Sequence, residues 1–230
     1  MLNIYIPFQK NTMDKKPDEI LINLMKKRRS VRSFDGSKID RKDVLSIIEA
    51  AIWAPTGCNN QELRFLVLDA EKEINEIVKF KPFFRGVSTM ILIFCDMSLP
   101  MSGKMYLDNQ WEKHLPYVDT GLALANMILY AKSKGIDSCI YNLSEYHVRQ
   151  AKEGEIKKKT FKKMLDSYSP LVEEMSLEFY LRKHLKMPKH LRIMCGVAFG
   201  FAQEYPDVST AKHGWNKIMR QKLGHYILQK

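Results

Sequence analysis

Apolar residues recur along the chain at two spacings, one typical of helices and the other of buried strands. Apolar positions three or four residues apart predict helices over 17–27, 40–54 and 72–80, a long helix that follows a loop over 96–113 and ends at Gly135, and a helix near 177–186. Short apolar runs over 64–69, 89–95, 136–141 and 191–199 predict strands. The run 89–95 is expected to be buried on both faces of a sheet.

Proline and acidic residues mark several of these boundaries. Pro17 suits a first helical turn. Asp40 is a good N-cap, and the helix that it begins should end near Ala54, because Pro55 disfavours helical geometry in the residue before it. Trp53, at the end of that helix, is expected in the core. The long helix is predicted to bury the side formed by Tyr117, Gly121, Leu124, Ala125, Ile128, Leu129 and Ala131.

The remaining segments carry weaker patterns. We predict a single domain over 1–230, with an N-terminal extension (1–16), a variable insertion (about 145–178) and a C-terminal tail (201–230) in which 215–223 is a further candidate helix. The insertion is basic between 154 and 178. No internal repeat is visible in the sequence.

The formal net charge of +11 allows three interpretations. A basic chain can bind nucleic acid, expose a solvated cationic surface, or attract anionic small molecules. The sequence contains no zinc-finger pattern, RNA-binding sheet motif or glycine-rich clamp. We therefore favour a charged surface together with anionic small molecules, and expect neither nucleic acid nor a membrane as partner.

Cysteines and histidines indicate neither disulfides nor a metal site. The four cysteines are far apart and show no CxxC pairing, so free thiols in a reducing compartment are expected. His184 and His190, the closest histidines, are six residues apart and do not share a helical face. The N-terminal residues lack a basic segment followed by a long apolar run, which favours a cytoplasmic location.

Two candidate binding segments flank the helix predicted over 40–54. The arginine segment (residues 28–34) contains Arg28, Arg29, Ser30 and Arg32, whose side chains can donate several hydrogen bonds to an anion. The proline–glycine loop (residues 55–61) can bring its backbone close to a flat ligand. Taken alone, the arginine segment favours a solvated helix end or a basic address signal. The loop that follows it favours binding of a phosphate-bearing cofactor.

These two segments resemble the opening of the FMN-dependent nitroreductase family. The resemblance extends over about residues 20–205, and it includes stretches similar to the family's central helix (119–126), the strand after it (135–139), a late helix (185–188) and the last core strand (197–201). Two departures are visible. Glu62 and Leu63 stand where the family usually has proline and tryptophan, and no clear basic phosphate-binding segment follows Gly200, although Lys212 or Arg220 could serve.

The resemblance implies an α+β fold with a mixed central sheet flanked by helices, in an intertwined homodimer with FMN at the subunit interface. The positions that correspond to cofactor-binding residues are Arg28, Arg29, Ser30 and Arg32 in the arginine segment, Pro55, Thr56, Gly57, Asn59 and Gln61 in the proline–glycine loop, and Ile140, Tyr141 and Asn142 after the long helix. We expect Arg32 at the pyrimidine edge of the flavin, and the proline–glycine loop at the flavin of the partner subunit.

The implied activity is ping-pong reduction of a nitroaromatic or quinone, with NADH or NADPH as electron donor. The chemistry would be centred on the flavin and would need no catalytic side chain or metal. Asp119 is interpreted as a structural contact, and Cys58 as incidental. The alternatives are a specialised flavin-dependent dehydrogenase or dehalogenase, a binding module of the same fold that holds flavin poorly, and a nucleic-acid binder.

Overall fold

The computed structural model describes residues 16–81, 84–99, 109–141, 143 and 177–205, except for the side chains of 79–80, 109–113 and 177–180. The N-terminal extension apart from its last residue, nearly all of the predicted insertion and the tail beyond 205 lie outside these residues. Asn142 and the predicted helix at 215–223 lie outside them as well.

Ten regular elements make up the described part: five α-helices, four strands and a short 3₁₀ helix at Gly57–Asn59. The helices are α1 (Pro17–Lys27), α2 (Arg41–Ile52), α3 (Glu71–Phe80), α4 (Asn109–Ser133) and α5 (Leu177–Leu185). The strands are β1 (Leu63–Leu68), β2 (Thr89–Asp96), β3 (Asp137–Tyr141) and β4 (Leu191–Gly200). Each α-helix and strand agrees with a predicted element to within two residues at both ends, except α4, which begins inside a stretch predicted to be loop.

The four strands form one sheet in the order β1-β2-β4-β3, and each neighbouring pair is antiparallel. Parallel pairing in the described residues occurs at the isolated bridge between Ser30 and Ser138, on the outer side of β3. The α+β class is therefore confirmed. The sheet is mixed through that bridge, while its regular strands are antiparallel.

Helices cover both faces of the sheet, so the core has two halves. On one face α2 and α4 pack on alternate residues of β2 and β4, including Ile91, Ile93 and Val197. On the other face α3, α5 and the buried residues of the arginine segment cover Met90, Leu92 and Phe94. The strand β2 is buried on both faces, as its uninterrupted apolar sequence predicted. No described helix is long and apolar enough to cross a bilayer.

The long helix α4 buries only part of the predicted side. Its fully buried apolar residues are Ala123, Met127 and Ala131, spaced four apart. Of the predicted residues Ala131 is buried, and Leu124 and Ile128 are partly buried against the same core, whereas Tyr117 is 59 % exposed and Gly121 and Ala125 are also exposed. The prediction failed for these last three because the helix is apolar on two sides, and periodicity cannot tell which of them faces the sheet. The end of the helix was predicted correctly. Gly135 adopts a positive φ of 76°, and Ile136 N–H donates to Ala131 O at 2.9 Å.

The second apolar side of α4 continues onto α2 as an exposed surface. Trp53 is 78 % exposed and Ile52 is 65 % exposed, and Tyr117 and Val118 of α4 are more than half exposed. The expectation that Trp53 lies in the core is therefore wrong for the single chain. Several large apolar side chains on one surface indicate an interaction site, since monomeric soluble proteins seldom expose large contiguous apolar patches.

A polar cluster fastens the end of α4 to β3 and to the chain that follows β4. Lys132 Nζ lies 2.7 Å from Asp137 Oδ1, and the hydroxyl of Tyr205 donates to the same oxygen at 2.6 Å. Lys132 also contacts the Tyr205 hydroxyl and lies over its ring. Burial lowers the pKa of Lys132, but the hydrogen bonds to Asp137 and Tyr205 more than offset it, so the pKa lies above its ordinary value.

Replacing Tyr205 by phenylalanine should destabilise the fold by about 1–2 kcal/mol, because buried Asp137 then loses a hydrogen bond while the ring remains. The measurement is the free energy of unfolding in urea. Tyr130→Phe is the matched control, because Tyr130 lies on α4 close to Lys132 in sequence and the structure gives no hydrogen bond for its phenol oxygen. Equal stability of Tyr205→Phe and the wild type would show that the Tyr205 hydroxyl contributes nothing.

Candidate active site

The arginine segment lies between β3 and the chain that leaves β4, held by backbone hydrogen bonds on both sides. Val31 N–H donates to Ser138 O at 3.0 Å, and Asp35 N–H donates to Phe201 O at 3.0 Å. Val31 and Phe34 are buried in the core, whereas the side chain of Arg32 is exposed. The backbone is thus fixed by the sheet and the core, and Arg32 points outward from a rigid support.

The cationic side chains of this segment gather beside β3. Burial raises the pKa of the Cys139 thiol, and the nearby charges of Arg32 and Arg28 act in the opposite direction. Ser30 and Ser138 pair in parallel, so the residues two positions further along, Arg32 and Ile140, lie at about the same height along the strand. The structure therefore brings two of the predicted groups together, the arginines at 28 and 32 and the end of β3.

Arg29 is oriented differently from the other two arginines. Its Nη1 donates to the carbonyl oxygens of Lys26 at 2.5 Å and of Arg28 at 2.8 Å, at the C-terminal end of α1. A cation at this position satisfies helix-end carbonyls that lack intrahelical partners. Arg29 thus has a structural contact in addition to the binding role predicted for it.

The proline–glycine loop has a compact, strained backbone. Cys58, Asn59 and Gln61 all have φ between 50° and 55°, a conformation that is uncommon outside glycine. Gln61 N–H donates to Thr56 Oγ1 at 3.1 Å, and Asn60 N–H donates to Gly57 O at 3.0 Å. Several backbone and hydroxyl groups are therefore engaged in holding the turn, while the side chains of Pro55, Cys58, Asn59 and Gln61 are exposed.

Helix α4 holds this loop through Asp119 and Leu115. Gly57 N–H donates to Asp119 Oδ2 at 3.0 Å, which is a structural contact, as predicted for Asp119. A Cβ atom on Gly57 would lie 3.1 Å from the Leu115 side chain, so the loop packs tightly on α4 where it turns. The glycine is thus needed for close approach of the loop to the helix.

The predicted cofactor-binding residues at the end of β3, Ile140 and Tyr141, are only partly available to a ligand. Tyr141 is buried: its ring packs against Phe84 with centroids 5.1 Å apart, and its hydroxyl lies 3.5 Å from Met90 Sδ. The Tyr141 side chain therefore cannot line a cofactor site, because strand alternation points it into the core with Cys139. Ile140 faces the other way and is 43 % exposed.

The two binding segments of one chain lie at opposite edges of the sheet. The proline–glycine loop leads into β1 at one edge, whereas the arginine segment borders β3 at the other. With neighbouring strands about 4.8 Å apart, the three intervals between β1 and β3 separate the edges by roughly 14 Å. The structure therefore does not bring the arginine segment and the loop of the same chain together.

Glu62, which follows the loop, was noted in the sequence only as a departure from the family pattern. It is completely buried, next to Asp119, and burial together with the neighbouring Asp119 carboxyl raises its pKa. Sequence gave no sign of this burial, because glutamate is rarely buried and its neighbour lies 57 positions further along the chain.

The arrangement of helices and strands is that of the nitroreductase fold. A crystal structure of a nitroreductase from Desulfovibrio desulfuricans in complex with FMN superimposes with a TM-score of 0.61 at 21 % identity, and covers 94 % of this chain and 98 % of that one. The sequence model of the Nitroreductase family matches residues 25–86, which include both binding segments.

Two curated relatives extend the similarity. A protein of Archaeoglobus fulgidus named as an NADH dehydrogenase/NAD(P)H nitroreductase is 28 % identical over 209 residues, covering 89 % of this chain and 99 % of the relative. A protein of Bacillus subtilis named as an NAD(P)H nitroreductase is 33 % identical over 82 residues, covering 34 % of this chain and 39 % of the relative. The resemblance inferred from the sequence is confirmed, and the fold is that of the nitroreductases.

Proposed function

We propose that the protein is an FMN-dependent oxidoreductase that uses NADH or NADPH to reduce an electron-poor acceptor, a nitroaromatic or a quinone, by a ping-pong mechanism. The observation that carries this proposal is the set of arginine and serine side chains supported along β3 within a nitroreductase fold. The names of the two curated relatives support the nicotinamide donor, and the FMN complex of the structural neighbour supports the cofactor.

The chemical character of the arginine segment fits FMN. A phosphate needs several cationic or hydroxyl donors that converge, and guanidinium groups match its geometry with two hydrogen bonds each. We assign Arg28 and Ser30 to the phosphate and ribityl chain, with a smaller contribution from Arg29, whose Nη1 already caps α1. Lys212 and Arg220, the candidates for a further phosphate contact, lie outside the described residues.

Arg32 is assigned to the pyrimidine edge of the flavin. Its side chain is exposed beside the end of β3, and the backbone is fixed on one side by the bond from Val31 to Ser138 of β3 and on the other by the bond from Asp35 to Phe201. A fixed positive charge at that edge favours negative charge on the ring, which makes the cofactor easier to reduce. Arg32 thus binds and also tunes the cofactor.

When bound, FMN would supply the redox chemistry, taking two electrons from the reduced nicotinamide and giving them to the acceptor. The protein residues bind and orient the ring. Ile140 contributes an exposed apolar side chain beside Arg32, and the backbone of 140–142 is proposed to cover one flavin face. No side chain of the described residues is required to act as a nucleophile.

Each site is proposed to form between two copies of the chain. The arginine segment and the proline–glycine loop lie at opposite edges of one sheet, so a pocket that uses both needs the loop of a second subunit. The exposed apolar surface of α2 and α4 ends next to that loop, at Ile52 and Trp53. Burying this surface in a homodimer would deliver Pro55, Thr56, Gly57, Asn59 and Gln61 to the partner's flavin.

The test is whether the purified protein binds FMN and turns over. We expect a yellow protein whose flavin is bleached by NADH or NADPH under anaerobic conditions and recoloured by a nitroaromatic or a quinone. A panel of acceptors that includes halogenated aromatics distinguishes this activity from reductive dehalogenation. A colourless protein that FMN cannot reconstitute would disprove the proposal and favour a binding module of the same fold.

A further inference from the structure

Two buried carboxyl groups meet behind the proline–glycine loop. Glu62 is 0 % exposed and Asp119 is 3 % exposed, and the two are direct neighbours. Asp119 Oδ2 accepts the hydrogen bond from Gly57 N–H at 3.0 Å. The backbone of Glu62 is fixed as well, because its carbonyl oxygen accepts from Asp96 N–H at 2.9 Å. Neither side chain can move to solvent without disrupting the loop or the start of β1.

Among the described residues, neither carboxyl oxygen of Glu62 receives a hydrogen bond. An ionised carboxylate in this position would receive no completed hydrogen bond and would face a second carboxyl group, which is a costly arrangement. A neutral carboxylic acid avoids both costs, because it is itself a donor. We propose that Glu62 is a positioning residue: as a neutral acid it donates a hydrogen bond to Asp119 and thereby fixes the carboxyl group that holds Gly57 of the proline–glycine loop.

The other groups around Glu62 are compatible with this assignment. Burial has the largest effect on the pKa of Glu62 and raises it, and the Asp119 carboxyl raises it further. The backbone N–H of Glu62 and the Asn60 side chain lie nearby and oppose the rise, but neither completes a hydrogen bond to the carboxyl group. On the sheet side Glu62 faces the Cys95 thiol, whose pKa is raised to about 11 mainly by burial, so the thiol adds no charge at neutral pH. Asp96 and Arg192 lie near that thiol, with opposite charges.

The consequence for the active site rests on the proposed function, in which this loop contacts the flavin of the partner subunit. Ionisation of Glu62 removes the hydrogen and places two negative charges side by side, so Asp119 is pushed from Gly57 and the loop loosens. FMN affinity should therefore fall as pH rises through the pKa of Glu62. The proline that the family usually has at this position cannot titrate, so this pH dependence would be particular to chains with an acid there.

The experiment compares FMN binding by Glu62→Gln, Glu62→Leu and wild-type protein between pH 5 and 9. The second ionisation of the FMN phosphate, at about pH 6, changes the affinity of every variant alike. Glutamine keeps a donor, so Glu62→Gln should match the wild type at low pH and should lack the additional loss of affinity that the wild type shows as pH rises. Leucine removes the donor, so Glu62→Leu should bind at least several-fold more weakly at every pH. Glu49→Gln, on the exposed side of α2, is the matched control and should follow the wild type.

A second readout on the flavin-free protein separates this inference from the proposed function. Since the pKa of Glu62 is raised in the fold, its contribution to stability is complete below the ordinary glutamate pKa and is lost as pH rises through the raised value. Glu62→Gln should abolish that loss. If no variant binds FMN, the proposed function fails, and the stability profile still decides the pairing. Identical profiles for Glu62→Gln and wild type would overturn the inference.

Discussion

Replacing Arg32 by alanine is expected to weaken FMN binding at least tenfold. The guanidinium of Arg32 is exposed, and its backbone is fixed between β3 and the chain leaving β4. Binding of FMN therefore costs little backbone conformational entropy at this residue. A charged hydrogen bond contributes about 1.5–3 kcal/mol, which corresponds to roughly 10–150-fold in affinity. The measurement is the dissociation constant of FMN, followed by quenching of flavin fluorescence.

The control for Arg32 is Arg41→Ala. Arg41 forms an exposed ion pair with Asp69 at 2.9 Å, with both side chains more than half exposed, and such pairs contribute little to stability. Both variants remove one positive charge, so a general loss of electrostatic attraction would weaken FMN binding in both. Selective loss in Arg32→Ala assigns the residue to the site. Unchanged affinity in Arg32→Ala would remove it from the site.

The reduction potential gives an independent measure of the role of Arg32. If the guanidinium lies at the pyrimidine edge, its removal should lower the potential of the FMN that remains bound, because negative charge on the ring loses its partner. An arginine that contacts only the phosphate would change affinity and leave the potential unaltered. Potential and affinity measured together thus distinguish the two positions.

The centre of the sheet was predictable because β2 and most of β4 are buried on both faces. The run from Thr89 to Cys95 has no polar residue between Met90 and Cys95, and a short run of this kind fits a central strand. The helices were predictable from apolar residues three or four apart. In α4 this apolar spacing did not show which side of the helix faces the sheet. Ala123, Met127 and Ala131 face the sheet, whereas Tyr117 and Val118 form an outer apolar side.

The sequence indicated which segments form the candidate site, but it did not show which of their side chains point toward a ligand. Strand alternation buries Tyr141 and exposes Ile140, a difference of one residue that a positional match cannot resolve. Buried Glu62 lies next to Asp119, which is far from it in the sequence. In the polar cluster at the end of α4, Lys132 contacts Tyr205, 73 positions further along the chain. Long-range polar contacts leave no periodic signal in the sequence, so these features required the fold.

Mixing two defective variants should restore FMN binding if each site draws on two subunits. One parent carries Arg32→Ala. The other carries Gly57→Leu, which places a side chain where a Cβ would already lie 3.1 Å from Leu115 and so displaces the proline–glycine loop. In either homodimer every site has one defect. In a heterodimer both defects fall in the same site, which leaves the second site with an intact Arg32 and an intact loop.

Heterodimers are therefore expected to bind one FMN per dimer with wild-type affinity, whereas both parents bind weakly. The two chains can be co-expressed with different affinity tags and purified over both, and bound flavin counted by absorbance. Sites built within single chains would each keep one defect, so the heterodimer would bind no better than the parents. The separation of the arginine segment and the loop at opposite edges of the sheet favours the first result, because three strand intervals lie between the two segments of one chain.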